Sequence, residues 1–350
     1  MYGHLCRSVT LHISGSNPHN FTLFTLQCEY LTGLQVLRLH IQPNEESSSV
    51  PTCIKTLDAT ALNFAGRMAW KSLFLALPGV SELQLYGFTW TDAAEAFKAS
   101  GPKPGITKLS LDIAASAARP TLHTAHTFNR IFPGLISISL PTHWCPTPAW
   151  IRRAFASRRL QSIEVREYGY RCYYSTPDFC KESCTWTSSM EALVELSAAS
   201  LTSLTISCSF SPTLSFKQSA FPSLTTLTLM EMQGPDDPEA FNTLMEFFLH
   251  SPLQQLHIGL TQCPESFCSW FHPTSERWPA LRTLSLHGIR TQVGPGDDPW
   301  DEYAEERDEW DRLSEGDDCW SSHTRIMLED HCSKRGIEFD FEWHWFEGYG

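Results

Sequence analysis

Nowhere in the 350 residues is there a run of the roughly 18–20 consecutive apolar side chains that a membrane-spanning helix requires. The best stretch, Leu73-Phe74-Leu75-Ala76-Leu77, stops at Pro78. An export signal is also missing, because Met1-Tyr2-Gly3-His4-Leu5-Cys6-Arg7 has no apolar core followed by small residues. No membrane partner and a cytoplasmic or nuclear location are therefore expected. Basic charge is scarce, with 26 Lys and Arg against 39 Asp and Glu for a net −13, which argues against binding a nucleic-acid backbone. Catalytic signatures are absent too: there is no G-x-S-x-G elbow, phosphate loop, dinucleotide-binding turn or H-E-x-x-H helix. The chain reads as not an enzyme.

The twelve cysteines do not change that reading. They are dispersed, and neither Cys172, Cys180 and Cys184 nor Cys263 and Cys268 has the paired C-x-x-C spacing of a closed zinc site. Reduced thiols are expected, with no metal and no cofactor. His123 and His126 share a helix face without an acid or Cys to complete a ligand set. His323, Asp330, His331 and Cys332 are equally loose and suit a helix ending before Gly336, with Lys334 and Arg335 complementing its dipole.

What the sequence does have is a repeat. Composition is that of a folded chain, 42% hydrophobic and 12% aromatic. An apolar residue followed at +3 and +5 by two more recurs as Leu34/Leu37/Leu39, Val80/Leu83/Leu85, Ile106/Leu109/Leu111, Leu135/Ile138/Leu140 and Leu160/Ile163/Val165. It continues as Leu201/Leu204/Ile206, Leu224/Leu227/Leu229, Leu253/Leu256/Ile258 and Leu281/Leu284/Leu286. Val9, Leu11 and Ile13 end an earlier copy, Ile54 and Leu57 suggest a degenerate one, and Ile337 and Phe339 suggest a closing strand. Between middle positions the steps from 83 are 26, 29 and 25 residues, and from 204 they are 23, 29 and 28. These lie mostly in the range of about 20–29 residues typical of leucine-rich repeats.

Alternation within the motif turns its leucines inward and the residues between them outward. Helical patterning follows over 61–77, 92–98, 148–157, 190–199 and 239–250, and Pro148 and Pro238 suit first helical turns. Strand, helix and strand at this spacing imply parallel strands with right-handed crossovers. The fold class expected is α/β, a leucine-rich-repeat solenoid with a parallel sheet on the concave face and helices on the convex face. One irregular domain over residues 1–350 is expected, with an acidic insertion at 292–320 before a last helix and strand (321–341).

Phe132-Pro133-Gly134-Leu135, Phe221-Pro222-Ser223-Leu224 and Trp278-Pro279-Ala280-Leu281 stand just before strands, as does Leu77-Pro78-Gly79. Proline there cannot continue a helix, and the aromatic is expected to plug the core. This phrase and the strand motif after it resemble the leucine-rich repeats of fungal F-box-type proteins, over about residues 5–290 and a strand near 337–341. The resemblance implies the substrate-recognition region of an SCF-type ubiquitin ligase. A Skp1-like adaptor would then be a partner only if an F-box exists upstream, since the sequence shows none. The ladder position usually held by Asn or Cys carries Gln42, Phe88, Ala114, His143, Tyr168, Ser209, Met232, Thr261 and Ile289, so an irregular arc is expected.

Two steps are long. That from 163 to 204 spans 41 residues and includes Tyr168 to Tyr174, which reads as an interface loop or as a loop packed over one edge. That from 37 to 83 spans 46, divided by the degenerate copy. Asp297 to Asp318 holds twelve acids and two arginines, a net −10, and reads as a mobile exposed segment or, through Asp301, Glu302, Glu305, Glu306 and Trp310, as a dock for a basic protein.

The function expected is a non-enzymatic protein–protein interaction module with an unknown target. The alternative is a stand-alone scaffold or inhibitor that binds a basic protein through the concave face or the acidic segment. Outward positions on the strands give the candidate partner-binding residues Arg38, Gln84, Tyr86, Lys108, Asp112, Glu164, Arg166, His257 and His287.

Overall fold

The computed structural model describes residues 6–14, 31, 33–42, 79–88, 101–113, 122–141, 146–156, 159–166, 177–207, 221–232, 238–260, 267–291 and 322–346. They fall in two compact units, Met1–Ser197 and Ala198–Gly350.

The first unit contains strands β1 (Ser8–Ser14), β2 (Val36–Gln42), β3 (Glu82–Phe88), β4 (Lys108–Ile113), β5 (Ser137–Pro141) and β6 (Ser162–Arg166). Each pairs in parallel with the next in sequence order. The register aligns the motifs: Leu37, Leu83, Leu109, Ile138 and Ile163 stand side by side and are all buried. β2 pairs directly with β3, so no further strand stands between them in the sheet, and Ile54 and Leu57 lie outside the described residues.

Helices α1 (Leu122–Ile131), α2 (Pro148–Ala154) and α3 (Pro177–Ser197) return the chain between strands. α2 begins where Pro148 predicts, with Thr147 accepting a hydrogen bond from the Trp150 amide at 3.2 Å as N-cap. α3 starts thirteen residues before the expected Met190, so the helix takes up much of the 41-residue step, while Tyr168 to Tyr174 lie outside the described residues. Phe128, Phe132, Trp150 and Phe155 bury together with ring centroids 5.3–6.3 Å apart. Burial of such side chains stabilises by about 1.5–3 kcal/mol each.

The second unit contains parallel strands β7 (Ser203–Ser207), β8 (Thr226–Met232), β9 (Gln255–Leu260), β10 (Thr283–Thr291) and β11 (Glu338–Phe346), again in sequence order. Its helices are α4 (Pro238–Glu246), α5 (Phe267–Trp270) and α6 (Ser322–Arg335). The closing strand runs to Phe346, past the expected end at 341. α6 ends as anticipated at Gly336, whose φ of 69° is left-handed; Ile337 N–H donates to Cys332 O at 2.9 Å and Gly336 N–H to Ser333 O at 3.1 Å. This pair of hydrogen bonds is a Schellman motif.

The corners of the repeats share one construction. Leu135, Leu224 and Leu281 amides donate to the carbonyls of Phe132, Phe221 and Trp278 at 3.1–3.3 Å, closing a turn with Pro at its second position. The three aromatics are buried, as the sequence phrase predicts. After each corner the next two amides share one carbonyl of the preceding repeat. Ser81 and Glu82 donate to Gln35 O, Thr107 and Lys108 to Ser81 O, and Ile136 and Ser137 to Thr107 O, at 2.9–3.1 Å. In the second unit Gln254 and Gln255 donate to Thr225 O, and Arg282 and Thr283 to Gln254 O, at 2.8–3.0 Å. Backbone therefore stitches repeat to repeat at the start of these strands, without side chains from an Asn ladder.

Candidate protein-binding surface

One face of each sheet is taken by the motif leucines, so function falls to the other face. Strand alternation and parallel register arrange its side chains in rows that run across the strands. In the first unit one row reads Thr10, Arg38, Gln84, Ser110, Ser139 and Glu164, and the row before it Ser8, Val36, Glu82, Lys108, Ser137 and Ser162.

Three of the candidate residues are brought together. The Arg38 guanidinium reaches both neighbouring strands, donating from Nε to Gln84 Oε1 at 2.9 Å and from Nη1 to Ser8 Oγ at 2.8 Å. Gln84 Nε2 donates to Glu82 Oε1 at 2.6 Å, and Lys108 Nζ lies 4.0 Å from Glu82 Oε2. A continuous polar ribbon thus spans β1 to β4. Its members bridge one another, with Arg38, Gln84 and Glu82 partly buried and Ser8 and Lys108 exposed, so the chain fixes rotamers on a rigid sheet while leaving hydrogen-bonding groups accessible. Ser8 and Glu82 were missed as candidates; their rows were readable, but Arg38 reaching across to Ser8 was not.

On β6, Glu164 and Arg166 pair with each other, with side chains 26% and 49% exposed. Beside them Ser139 is buried, and its hydroxyl has no hydrogen-bond partner among the described residues. Tyr86 and Asp112 stand opposite each other in the β3–β4 register. Their side chains, and all of Asp301, Glu302, Glu305, Glu306 and Trp310, lie outside the described residues.

In the second unit His257 lies between Thr228 and Ser285 in register. Burial pushes its pKa below the usual imidazole value, because desolvation penalises the cation. His287 Nδ1 is 3.9 Å from Glu342 Oε2 on β11. The second-unit rows otherwise carry Ser203, Thr205, Thr226 and Thr283, with Thr226 Oγ1 donating to Gln255 Oε1 at 3.3 Å.

Among the described residues no group of three or more His, Cys, Asp or Glu could hold a metal. Cys6, Cys268 and Cys332 are reduced, outside any disulfide, and burial raises the Cys332 pKa to about 11. His126 is exposed on α1 beside a shallow hollow with Asn129, Arg130 and Pro133. Among the described residues no helix is long and apolar enough to cross a membrane.

Parallel strands in sequence order, one per repeat, with the x-L-x-L leucines aligned and buried, decide the architecture. Both units have the leucine-rich-repeat fold. No family model and no curated protein sequence matches the chain. Among solved structures it is similar to the leucine-rich repeat-containing protein LegL7 from Legionella pneumophila, at 12% identity and a TM-score of 0.45, over 99% of this chain and 85% of that one. The assignment rests on register and burial.

Proposed function

We propose that the chain is a non-enzymatic protein-binding module that uses the exposed face of its leucine-rich-repeat sheet. The observation that carries this is the ribbon Ser8–Arg38–Gln84–Glu82–Lys108, four strands wide and held by three hydrogen bonds and one ion pair of its own. Side chains fixed in this way lose little entropy on binding, and so favour specific recognition. The mixed signs along the ribbon suit a polar protein surface better than a phosphate backbone. Capture from cell extract tests the proposal by comparing three proteins: wild type, Arg38→Glu/Lys108→Glu, and Arg152→Glu/Arg153→Glu on the exposed side of α2. Loss of the same bound protein with the first variant only is expected; equal loss with both, or with neither, would refute it.

A finer reading is that this surface selects substrates for an SCF-type ubiquitin ligase, in a cytoplasmic or nuclear setting. Its support is the resemblance of the corner phrase and strand motif to F-box-type proteins. Recovery of a Skp1-like adaptor with the product of the complete locus supports it, and its absence from that product eliminates it. The single-domain organisation over 1–350 is likewise proposed on the repeat, which runs through both units.

A further inference from the structure

We propose that the outer edge of β11 is a docking site for an extended, basic segment of a partner protein, which adds to the sheet as a further strand. It uses residues other than the β1–β4 ribbon and can fail independently of it.

Register fixes which backbone groups face outward. Glu338 N–H donates to Arg282 O at 2.8 Å, and Glu338 stands opposite Thr283. In a parallel ladder both polar groups of a residue turn to the same neighbour, so Glu338, Asp340 and Glu342 bond toward β10. The amide and carbonyl groups of Phe339, Phe341, Trp343 and Trp345 consequently point away from it. Among the described residues no strand pairs with that edge. The edge is nine residues long, against five to seven for β7, β8 and β9, and open strands of this length are templates for pairing.

Side-chain charge selects the occupant. Glu338, Asp340 and Glu342 alternate along one face and are all exposed. Their register partners on β10 are Thr283, Ser285 and His287, whose Nδ1 lies 3.9 Å from Glu342 Oε2, and no lysine or arginine of that strand stands opposite them. A second copy of β11 would bring carboxylates against carboxylates, which is repulsive across a sheet. A strand with Lys or Arg at alternate positions would instead set a cation about 4.8 Å from each acid. Acids on an open edge thus discourage self-pairing and favour a cationic extended partner.

The test uses the full chain and a labelled peptide of alternating lysine and valine, matched in length to β11. Two control peptides are an alternating glutamate–valine peptide and the lysine peptide with alternate amides N-methylated. The lysine peptide is expected to bind and to protect the amides of Phe339, Phe341, Trp343 and Trp345 from hydrogen exchange. The glutamate peptide should not bind, and N-methylation should weaken binding about tenfold or more, because strand hydrogen bonds are lost. Glu338→Lys/Asp340→Lys/Glu342→Lys should retain its circular dichroism and bind about tenfold more weakly. If that variant does not fold, Asp340→Asn should still weaken binding about threefold. Absence of binding, unprotected β11 amides, or equal binding by the methylated peptide or the charge-reversed protein would overturn the proposal. The last two results would assign the attraction to general acidity of the chain.

Discussion

Replacing Gly134 by alanine should destabilise the first unit through a backbone collision and not through a forbidden dihedral. A Cβ built at Gly134 would lie 2.2 Å from the Pro104 carbonyl oxygen and 3.2 Å from its carbon. The partner is main chain, held by neighbouring bonds: Ile106 N–H donates to Lys103 O at 3.2 Å, and Lys103 N–H to Ile131 O at 2.6 Å. To make room, the corner before β4 and the corner before β5 must separate by about 1 Å, and such overpacking costs about 1–3 kcal/mol. Alanine also restricts the unfolded chain, returning about 0.4–1 kcal/mol. The net loss expected is about 1–2 kcal/mol, seen as a lower midpoint in urea denaturation with an unchanged slope. Gly101 is the control, because its φ is 74° and no atom lies within 4 Å of its Cβ position. Gly101→Asn should therefore cost little, since asparagine tolerates that dihedral, whereas Gly134→Asn should be at least as damaging as Gly134→Ala. Wild-type stability for Gly134→Ala would refute the reasoning.

Other expectations follow from the second unit. Arg335 donates to the carbonyls of Trp270, Arg277 and Trp278 at 3.3, 2.6 and 3.4 Å, so Arg335→Met should cost about 2 kcal/mol by urea denaturation and Arg335→Lys should recover only part. Cys332 has its pKa raised to about 11 from 9.0, leaving about a hundredfold less thiolate below pH 9 than an ordinary thiol; mass spectrometry should find iodoacetamide on Cys6 and Cys268 well before Cys332. His257 has its pKa lowered by burial, so on acidification the unfolded chain takes up the proton first, below about pH 6.5, and stability falls as pH falls through that region. His257→Gln should flatten that limb in denaturation curves recorded across pH.

The sequence carries the phase of each strand because every motif forces its leucines onto one face, and the leucines described in those positions are buried. The corners were legible for a similar reason: a proline after an aromatic stops the helix and begins the turn. The direct pairing of β2 with β3 was not, since 45 residues separate Val36 from Glu82 in the sequence while the sheet sets them opposite each other. That pairing is what sets Arg38 beside Gln84, so half of the ribbon depends on a contact across the least regular step. The length of β11 escaped because Trp343 to Phe346 continue the strand beyond the motif. The nine-residue match to β10 extends it, and no signal inside the repeat marks its end.

Photo-crosslinking is the most direct test that the exposed sheet face is the working surface. A photoreactive amino acid would be placed in turn at Gln84 and Ser110 on the face, and at Asn129 and Arg153 on the helices. The account predicts that one protein is captured from the two sheet positions and from neither helix position. Capture from the helix positions alone would contradict it.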